Sequence, residues 1–471
     1  DTWSHAYGKD LYAFVRGLQP RILINNRVDI GRRPDGLTEK GAYRGDFGTP
    51  EQAIPQTAET TQPWETCTTI GRHWGYNRRE TKRKSVAKLL QILADTSSKG
   101  GNLLLNVGPR GDGTLPAADV QRLRAMGRWL RKNGEAIYGT EACPFGSFEW
   151  GVCTVKHVAA GNDRLYLHVF DWPRSRSLQL VGLHNTSKRA RVLGAPERRV
   201  QVSSKPLALS LRLPKRPKAT GHSVIAVELD GALDLDKPPE IEAPFASFVD
   251  ATQFRIGSDR SGVLRYTLDG SDPTPESARF EGTPVRLASG AKVRAQLFRD
   301  GRPASPIAER TLSKVKPLPA ARRPLPERPG VRVAYYEGQW NALPDFSTER
   351  PKQVQIGTRV TIPDRIARRN HFGLEFRSWL RVPKTGMYRF HLSSDDGSRL
   401  WIGDKLLVDN DGLHSPRDKA GEVALQAGLH ALRVAYFESG GHEVCELFYE
   451  GPGIAKRTLP APDLFVPDDP R

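Results

Sequence analysis

The sequence has few sulfur-containing residues and no long apolar run. Its 471 residues include only 4 Cys and 2 Met. No apolar segment approaches the roughly 18–20 residues that a membrane-spanning helix needs, so we expect no membrane span. The four cysteines lack the spacing of a metal site. Cys143 and Cys153 are near enough in the chain to form a disulfide, but free buried thiols are the favoured interpretation.

The sequence also lacks acidic excess and any long block of like charges. Its 71 Lys+Arg and 53 Asp+Glu give a net charge of +18. Residues 331–471 contain 19 residues of each sign, so the whole excess precedes Val331. It occurs in short runs such as Arg78-Arg79 and Arg198-Arg199. Nucleic-acid interfaces are normally clustered within a recognisable module. We therefore interpret the charge as a solvated surface and expect no nucleic-acid partner.

The length predicts three or four domains. Residues 1–141 alternate helices with short apolar strands, which is typical of α/β units around a parallel sheet. The predicted helices are 9–18, 81–98 and 116–138, and the predicted buried strands are 22–24 and 103–105. Short alternating strands then indicate β-sandwiches at 142–232 and 233–315, a Pro/Arg-rich linker at 316–330, and a strand-rich domain at 331–471.

Three polar loops of the first domain could carry chemistry. They are INNR (24–27), GDFGTPEQAIP (45–55) and PWETCTTIGRHWGYN (63–77). They combine two glutamates, amides, a guanidinium and several aromatic rings. Aromatic faces stack on sugar C–H groups, whereas sugar hydroxyls need fixed donors and acceptors. The composition therefore suggests a sugar site, although a lone loop glutamate is more often simply solvated.

The same segments, with LQPRILINNRVDIGRR (18–33), SSKGGNLLLNVGPRGDGTLP (97–116) and GRWLRKNGEAIYGT (127–140), resemble α-L-fucosidases of glycoside hydrolase family 29. This resemblance implies the second half of a (β/α)₈-like barrel, followed by a β-sandwich. It also implies a secreted or periplasmic enzyme that hydrolyses terminal α-L-fucose of oligosaccharides or glycoproteins with retention. Such enzymes need no cofactor and use an aspartate nucleophile with an acid/base residue.

The resemblance assigns roles to four residues. Glu51, in TPEQ, matches the acid/base position, and Glu65, in PWET, is its rival or a hydrogen-bond acceptor in the subsite. Arg27 matches an arginine that contacts the fucose and the nucleophile. Trp64 is expected to line the sugar pocket, with a packing role as the alternative.

The nucleophile motif, a Trp-Phe-Asp-Gly-like strand end, is not matched by any aspartate of the chain. We therefore expect the chain to lack the N-terminal half of the barrel and to be inactive as it stands. The alternative is a non-catalytic carbohydrate-binding protein with a degenerate barrel remnant.

Two further resemblances lie downstream. RYTLDGSDPTPES (265–277) is similar to the small C-terminal β domain of chitobiases and hexosaminidases, which implies a spacer.

VAYYEGQW (333–340), residues 376–412 and residues 428–453 resemble a protective-antigen-type (PA-14) β-sandwich, which implies a glycan ligand. In adhesin members a cis-linked Asp-Asp pair binds calcium, and Asp395-Asp396 matches it, with Asp409 as a further ligand. The alternative is an ion-free hairpin turn. The predicted fold is thus a partial (β/α)₈ barrel followed by three β-sandwich domains.

Overall fold

The chain folds into two compact units. Unit 1 comprises Asp1–Pro239, Ser258–Val263 and Gln296–Ile307. Unit 2 comprises Glu240–Gly257, Leu264–Ala295 and Ala308–Arg471. The computed structural model describes residues 4–29, 36–38, 45–56, 58, 62–158, 161–195, 197–217, 221–323, 328–414, 416–441 and 443–467. Within these residues, no helix combines the length and the apolar character that crossing a membrane requires.

Unit 1 begins with three helices and two parallel strands. They are α1 (His5–Leu18), β1 (Glu65–Thr69), α2 (Val86–Ser98), β2 (Asn102–Asn106) and α3 (Ala117–Asn133). Strands β1 and β2 pair in parallel. Isolated parallel bridges join earlier segments to them, pairing Asn25 with Phe47, Gly48 with Trp64, and Glu51 with Cys67. Four extended segments therefore lie side by side in chain order, which is the arrangement that α/β units produce.

The predicted buried strand at residues 22–24 is wrong. The structure has no strand there, and Leu23 is 74% exposed. The backbone N–H of Ile24 donates to Asp46 Oδ2 at 2.7 Å, so a side chain takes the place of a ladder partner. Parallel pairing starts only at Asn25. The apolar triplet predicts a buried strand, but no layer of described residues covers Ile22 and Leu23.

Helices α2 and α3 bury one face each against the first sheet of the β-rich part. Leu89 and Leu90 of α2 join Met126 and Trp129 of α3 in an apolar cluster that also contains Tyr166 of the sheet. Burying a side chain of this size contributes about 1.5–3 kcal/mol. The helices and the sheet therefore share one core.

That sheet has eight strands in the order β3-β4-β5-β10-β7-β8-β9-β6. Its strands are β3 (Glu141–Phe148), β4 (Gly151–Lys156), β5 (Arg164–Val169), β6 (Ser177–Val181), β7 (Ser187–Val192), β8 (Arg199–Lys205), β9 (Ala208–Arg212) and β10 (Ser223–Leu229). A single apolar cluster includes Leu167 of β5, Leu180 of β6 and Ile225 of β10. The sheet therefore folds back on itself around one core.

Cys143 and Cys153 form a disulfide, so the preference for free thiols is wrong for this pair. They lie on β3 and β4, an antiparallel pair whose register shifts between Ala142 and Ser147. The Cα atoms are 5.5 Å apart, within the range that a disulfide requires. The pairs Glu141–Val155 and Ala142–Thr154, continued by one residue, set Cys143 opposite Cys153. Counting the residues between the cysteines does not supply this register.

Residues 240–314 form nine short strands. They are β11 (Glu240–Glu242), β12 (Ser247–Phe248), β13 (Thr252–Gly257), β14 (Val263–Thr267), β15 (Ala278–Arg279), β16 (Val285–Leu287), β17 (Ala291–Arg299), β18 (Arg302–Pro303) and β19 (Ala308–Lys314). One sheet has the order β11-β13-β16 and the other the order β12-β19-β17-β14-β15, with β18 paired to β17. Phe254, Val293 and Leu312 lie in the core between these strands.

Within unit 2, the residues from Val331 onward are built into two sheets. Their strands are β20 (Val331–Glu337), β21 (Gln353–Gly357), β22 (Phe372–Val382), β23 (Gly386–Asp395), β24 (Ser398–Ile402), β25 (Lys405–Asn410), β26 (Arg417–Leu425), β27 (Gly428–Glu438), β28 (Val444–Gly451), β29 (Ile454–Thr458) and β30 (Leu464–Phe465). The orders are β21-β20-β22-β27-β24-β25, with β30 on β22, and β26-β23-β28-β29. Phe376 and Tyr436 of the first sheet share a core with Phe390 and Tyr449 of the second.

The stretch predicted as a linker makes ordered contacts inside unit 2. Leu318 forms a parallel bridge with Leu425, and the Ala321 N–H donates to the Leu429 carbonyl at 2.8 Å. The Arg323 guanidinium lies 4.7 Å from the centre of the Trp379 ring. Single bridges impose no apolar periodicity, so the sequence pattern could not predict these contacts.

The described residues are mostly β, with three α-helices, which confirms the fold prediction in its coarse form. The closure of a barrel, the number of sandwich domains and the domain boundaries stay predictions.

Two buried histidines lie between α3 and the sheet of unit 1. His168 Nδ1 and His222 Nε2 are 3.0 Å apart, and both side chains are almost fully buried. Trp129 lies against both rings and donates to the His222 carbonyl at 2.9 Å. Burial lowers the pKa of His168 to about 4. Burial and the neighbouring His168 lower the pKa of His222 as well. Both rings are therefore neutral in the folded state near pH 6.

We expect unit 1 to lose stability as the pH falls from about 6.5 towards 4. The unfolded state binds protons at these histidines near pH 6.5, whereas the folded state does not. Each histidine should add a slope of about 1.4 kcal/mol per pH unit to the free energy of unfolding in this window. Denaturant titrations at several pH values measure it. His222→Gln should flatten the slope, and His73→Gln, at an exposed site, should not. An unchanged slope in His222→Gln would contradict the interpretation.

Candidate functional site

Parallel pairing brings Arg27 and Glu51 together, although 24 residues separate them. Arg27 Nη2 donates to Glu51 Oε2 at 2.6 Å. The Arg27 side chain is 43% exposed and the Glu51 side chain 23%, so the pair is accessible from solvent. The same guanidinium nitrogen lies 3.7 Å from Cys67 Sγ on β1. Arg27, Glu51 and Cys67 therefore form one contiguous polar cluster.

A chain of hydrogen bonds fixes Arg27. Its backbone N–H donates to Asn25 Oδ1, which caps the short helix Asn26–Val28. Its Nε donates to Thr49 Oγ1 at 3.2 Å, and that hydroxyl donates to Asn26 Oδ1 at 2.7 Å. Asn26 is fully buried and donates to the Gly36 carbonyl. The guanidinium is therefore held at two nitrogens before any ligand binds.

The backbone around Glu51 is anchored to β1 on both sides. The Cys67 N–H donates to the Pro50 carbonyl at 3.1 Å, and the Gln52 N–H donates to the Cys67 carbonyl at 2.8 Å. Gln52 has φ +52°, a left-handed conformation that costs energy for a residue with a side chain. Its amide compensates by bonding to Thr68 and Thr69 of β1. Such strain tends to persist at functional sites.

Trp64 and Glu65 lie on opposite faces of the extended segment that ends in β1, because side chains alternate along a strand. Glu65 is half-buried and shares the face of Cys67. Trp64 is 1% exposed, and a Cβ added at Gly101 would lie 2.4 Å from its ring. The structure therefore places Trp64 in the interior, away from the Arg27–Glu51 pair, where it packs on a glycine that leaves room for it.

The loop after β1 carries two exposed aromatic residues, Trp74 and Tyr76. Glu80 holds this loop by accepting hydrogen bonds from the backbone N–H groups of Arg72 and Lys82, each at 2.7 Å. Asn106 Nδ2 at the end of β2 donates to the Trp74 carbonyl at 2.7 Å. The rings are thus presented on a fixed loop, which suits stacking against the apolar faces of a sugar.

A second polar cluster lies at the end of β23 and β27 in unit 2. Asp395, Asp396 and Glu438 are buried, and each offers a carboxylate oxygen within 4.8 Å of the others. The Asp395-Asp396 peptide bond is cis, as the PA-14 resemblance implies. Asp396 accepts hydrogen bonds from the His414 and Ser439 N–H groups, each at 3.0 Å. These contacts fix the orientation of its carboxylate.

Glu438 carries an unsatisfied oxygen. Tyr436 Oη donates to Glu438 Oε2 at 3.1 Å, whereas Oε1 is buried and has no hydrogen-bond partner among the described residues. Burial and the charge of Asp396 raise the pKa of Glu438 to about 7. Buried carboxylates without compensation are costly and are normally paired or bound to a metal. Three buried carboxylates and an orphan oxygen fit a hard cation such as Ca²⁺.

The structure does not bring Asp409 into this cluster. Its carboxylate accepts a hydrogen bond from Arg399 Nε at 3.1 Å and is half exposed on β25. The Arg399 guanidinium and this hydrogen bond hold the pKa of Asp409 below its usual range despite partial burial. Glu438, and not Asp409, is the third carboxylate of the cluster with Asp395 and Asp396. Its motif, YFESGG, lies within the segment that resembles PA-14. Only the pairing of β24 with β27, where Ser398 lies opposite Tyr436 and the Phe437 N–H donates to the Gly397 carbonyl, shows that it ends beside Asp396.

Comparison with known proteins confirms all three resemblances. Residues 2–135 match the family model described as alpha-L-fucosidase. Residues 246–309 match the chitobiase/beta-hexosaminidase C-terminal domain, and residues 327–461 match the PA14 domain.

Curated relatives are similar to the first part of the chain. An alpha-L-fucosidase of Branchiostoma floridae is 42% identical over 122 residues, which cover 25% of this chain and 26% of the relative. The plasma alpha-L-fucosidase of Rattus norvegicus is 36% identical over 204 residues, covering 41% and 42%. Among solved structures, alpha-L-fucosidase isoenzyme 1 from Paenibacillus thiaminolyticus is 32% identical, with a TM-score of 0.42 over 47% of this chain and 53% of that one. The chain thus spans less than half the length of these two curated relatives.

Proposed function

We propose that the protein acts in retaining hydrolysis of terminal α-L-fucose, with Glu51 as the acid/base residue. The observation that carries this proposal is the accessible Arg27–Glu51 pair, held rigidly on four parallel segments. The match of residues 2–135 to α-L-fucosidases supports the choice of sugar. Glu65, on the same face of β1 as Cys67, is the rival for the acid/base role.

In this mechanism Glu51 first donates a proton to the glycosidic oxygen while an aspartate attacks the anomeric carbon. The bond from that carbon to the leaving group breaks, and a fucosyl-enzyme ester forms. Glu51, now a carboxylate, then takes a proton from the water that hydrolyses the ester. The ion pair between Arg27 and Glu51 contains Glu51 as a carboxylate, which is the form that acts as the base in this second step. No aspartate of this chain matches the nucleophile motif, so the proposal assigns that group to a residue outside it.

The stereochemistry of the first product tests the reaction class. The full-length protein is incubated with a fucosylated oligosaccharide, and ¹H NMR follows the released sugar before it mutarotates. The proposal expects α-L-fucose to appear first, because two displacements restore the starting configuration. Initial appearance of the β anomer would indicate a single displacement and overturn the mechanism.

We further propose that the Asp395-Asp396-Glu438 cluster binds Ca²⁺ and that this part of unit 2 binds a glycan. The PA14 match and the orphan oxygen of Glu438 support it. When bound, the cation would supply a fixed positive charge to which sugar hydroxyls can coordinate. A secreted or periplasmic location is proposed on a separate observation, since the disulfide between Cys143 and Cys153 favours an oxidising compartment.

A further inference from the structure

Helix α3 presents a row of three arginines to solvent. Arg124, Arg128 and Arg131 are exposed, and their spacing of four and three residues puts them on one helix face. The opposite face is buried through Met126 and Trp129. None of the three arginines makes an ion pair or a side-chain hydrogen bond with another described residue. The row extends about 10 Å along a rigid helix.

The row continues from the helix onto the eight-stranded sheet. Lys132 is exposed at the end of α3, and a Cβ added at Gly194 would lie 3.2 Å from the Lys132 Cβ, so the lysine touches the turn after β7. A few residues further, Arg198 Nη1 donates to the Lys215 carbonyl at 2.9 Å. These two contacts connect three segments that are distant in sequence.

The resulting basic surface lies entirely in unit 1. It consists of Arg124, Arg128, Arg131, Lys132, Arg198, Arg199, Lys215 and Arg216. Glu197, whose carboxylate lies 3.6 Å from Arg198 Nε, is an acidic neighbour. In the sequence these cations lie in separate short runs, a pattern that by itself indicates only a solvated surface. In the fold, the contacts of Lys132 with the turn at Gly194 and of Arg198 with Lys215 link the segments that carry them.

We propose that this basic surface binds an anionic polysaccharide, one that carries sulfate esters or uronate carboxylates. Guanidinium groups donate paired hydrogen bonds to sulfate and carboxylate oxygens. Individual exposed contacts are weak, but several along one chain add up, and each releases counterions from the polymer. The surface exists whether or not the protein is a fucosidase. The choice of a glycan rests on the proposed function, because a sugar-directed site lies in the same unit.

Single-stranded nucleic acid fits the basic surface less well. Binding to single strands normally pairs a basic groove with aromatic side chains on which bases stack. The eight residues include no aromatic side chain, and Trp129 of α3 is buried on the opposite face. The surface therefore offers charge without a platform for bases.

The test measures binding of the full chain to dextran sulfate, polygalacturonate, neutral dextran and random-sequence double-stranded DNA at several salt concentrations. The main variant is Arg124→Gln/Arg128→Gln/Arg131→Gln. A second variant, Arg199→Gln/Lys215→Gln/Arg216→Gln, removes the same charge from the other end of the surface. The control, Arg255→Gln/Arg286→Gln/Arg350→Gln, removes three exposed charges from unit 2. All substitutions are at exposed positions, and circular dichroism verifies folding.

We expect at least tenfold weaker binding to a sulfated or uronate polymer in both surface variants, with a salt dependence reduced by about 2–3 in log–log slope. The control should stay within twofold of the unchanged chain. The two charged polymers distinguish sulfate from carboxylate as the preferred anion. Equal loss in the control, no binding to either charged polymer, or tighter binding to DNA would each overturn the proposal. Dextran sulfate contains no fucose, so such failure leaves the fucosidase proposal unaffected.

Discussion

Replacing Glu51 with alanine in the full-length protein should lower kcat/KM for natural fucosides by about 10²- to 10⁴-fold, the usual contribution of acid/base catalysis. The loss arises because a sugar alkoxide leaves poorly without a proton. Aryl fucosides with acidic phenols as leaving groups need little protonation, so their first step should be much less affected. Steady-state kinetics on one natural and one activated substrate measure the difference. The structure motivates this choice because Glu51 is the carboxylate that Arg27 holds at 2.6 Å.

The matched control is Glu65→Ala on the neighbouring segment. If Glu65 only accepts a hydrogen bond from a sugar hydroxyl, its loss should affect both substrates to a similar degree. Full activity of Glu51→Ala towards natural fucosides, together with a substrate-dependent loss in Glu65→Ala, would transfer the acid/base role to Glu65. The leaving-group dependence thus separates the two candidates even if both variants are slow.

Calcium should stabilise unit 2 through the buried carboxylates of Asp395, Asp396 and Glu438. A cation at one hundred times its dissociation constant stabilises the folded state by about 2.7 kcal/mol, a shift of several degrees in the melting temperature of a domain of this size. Differential scanning calorimetry with CaCl₂ and with EDTA measures it. Glu438→Gln should abolish most of the shift in melting temperature. Glu438 is fully buried, and the substitution removes one of the three negative charges that would bind the cation.

Asp409→Asn is the control for this experiment. The sequence assigns Asp409 to the cation, whereas the structure pairs it with Arg399 outside the cluster. We expect this variant to keep the full calcium response. Absence of any calcium response in the unchanged chain would contradict the cation proposal. Loss of the response in Asp409→Asn would contradict the assignment of ligands.

The sequence motifs predicted roles for Arg27, Glu51 and the Asp395-Asp396 pair, because each lies in a short segment that resembles a known family. The residues that surround these candidates could not be predicted from the sequence in the same way. Glu438 meets Asp396 only through strand pairing across a sheet, and Trp64 faces the interior because its neighbour Glu65 faces the other way. Short motifs carry the chemistry of one segment, whereas contacts between segments depend on register and on which face each side chain takes.

The same limit applies to charge and to cysteines. Counting Arg and Lys along the chain could not show that α3 and the turn after β7 meet at Lys132 and Gly194. Counting the residues between Cys143 and Cys153 could not show the strand register that sets them opposite each other. In both cases the way that segments pair or pack decides the outcome, and local sequence patterns do not specify it.

The most direct test of the central claim is the configuration of the fucosyl azide formed when Glu51→Ala reacts with an activated fucoside and sodium azide. In a retaining enzyme without its acid/base residue, azide enters the vacated side and attacks the fucosyl-enzyme ester. The account predicts faster turnover with azide and α-L-fucosyl azide as the product. Formation of the β azide, or no response to azide with full hydrolytic activity, would contradict the role assigned to Glu51.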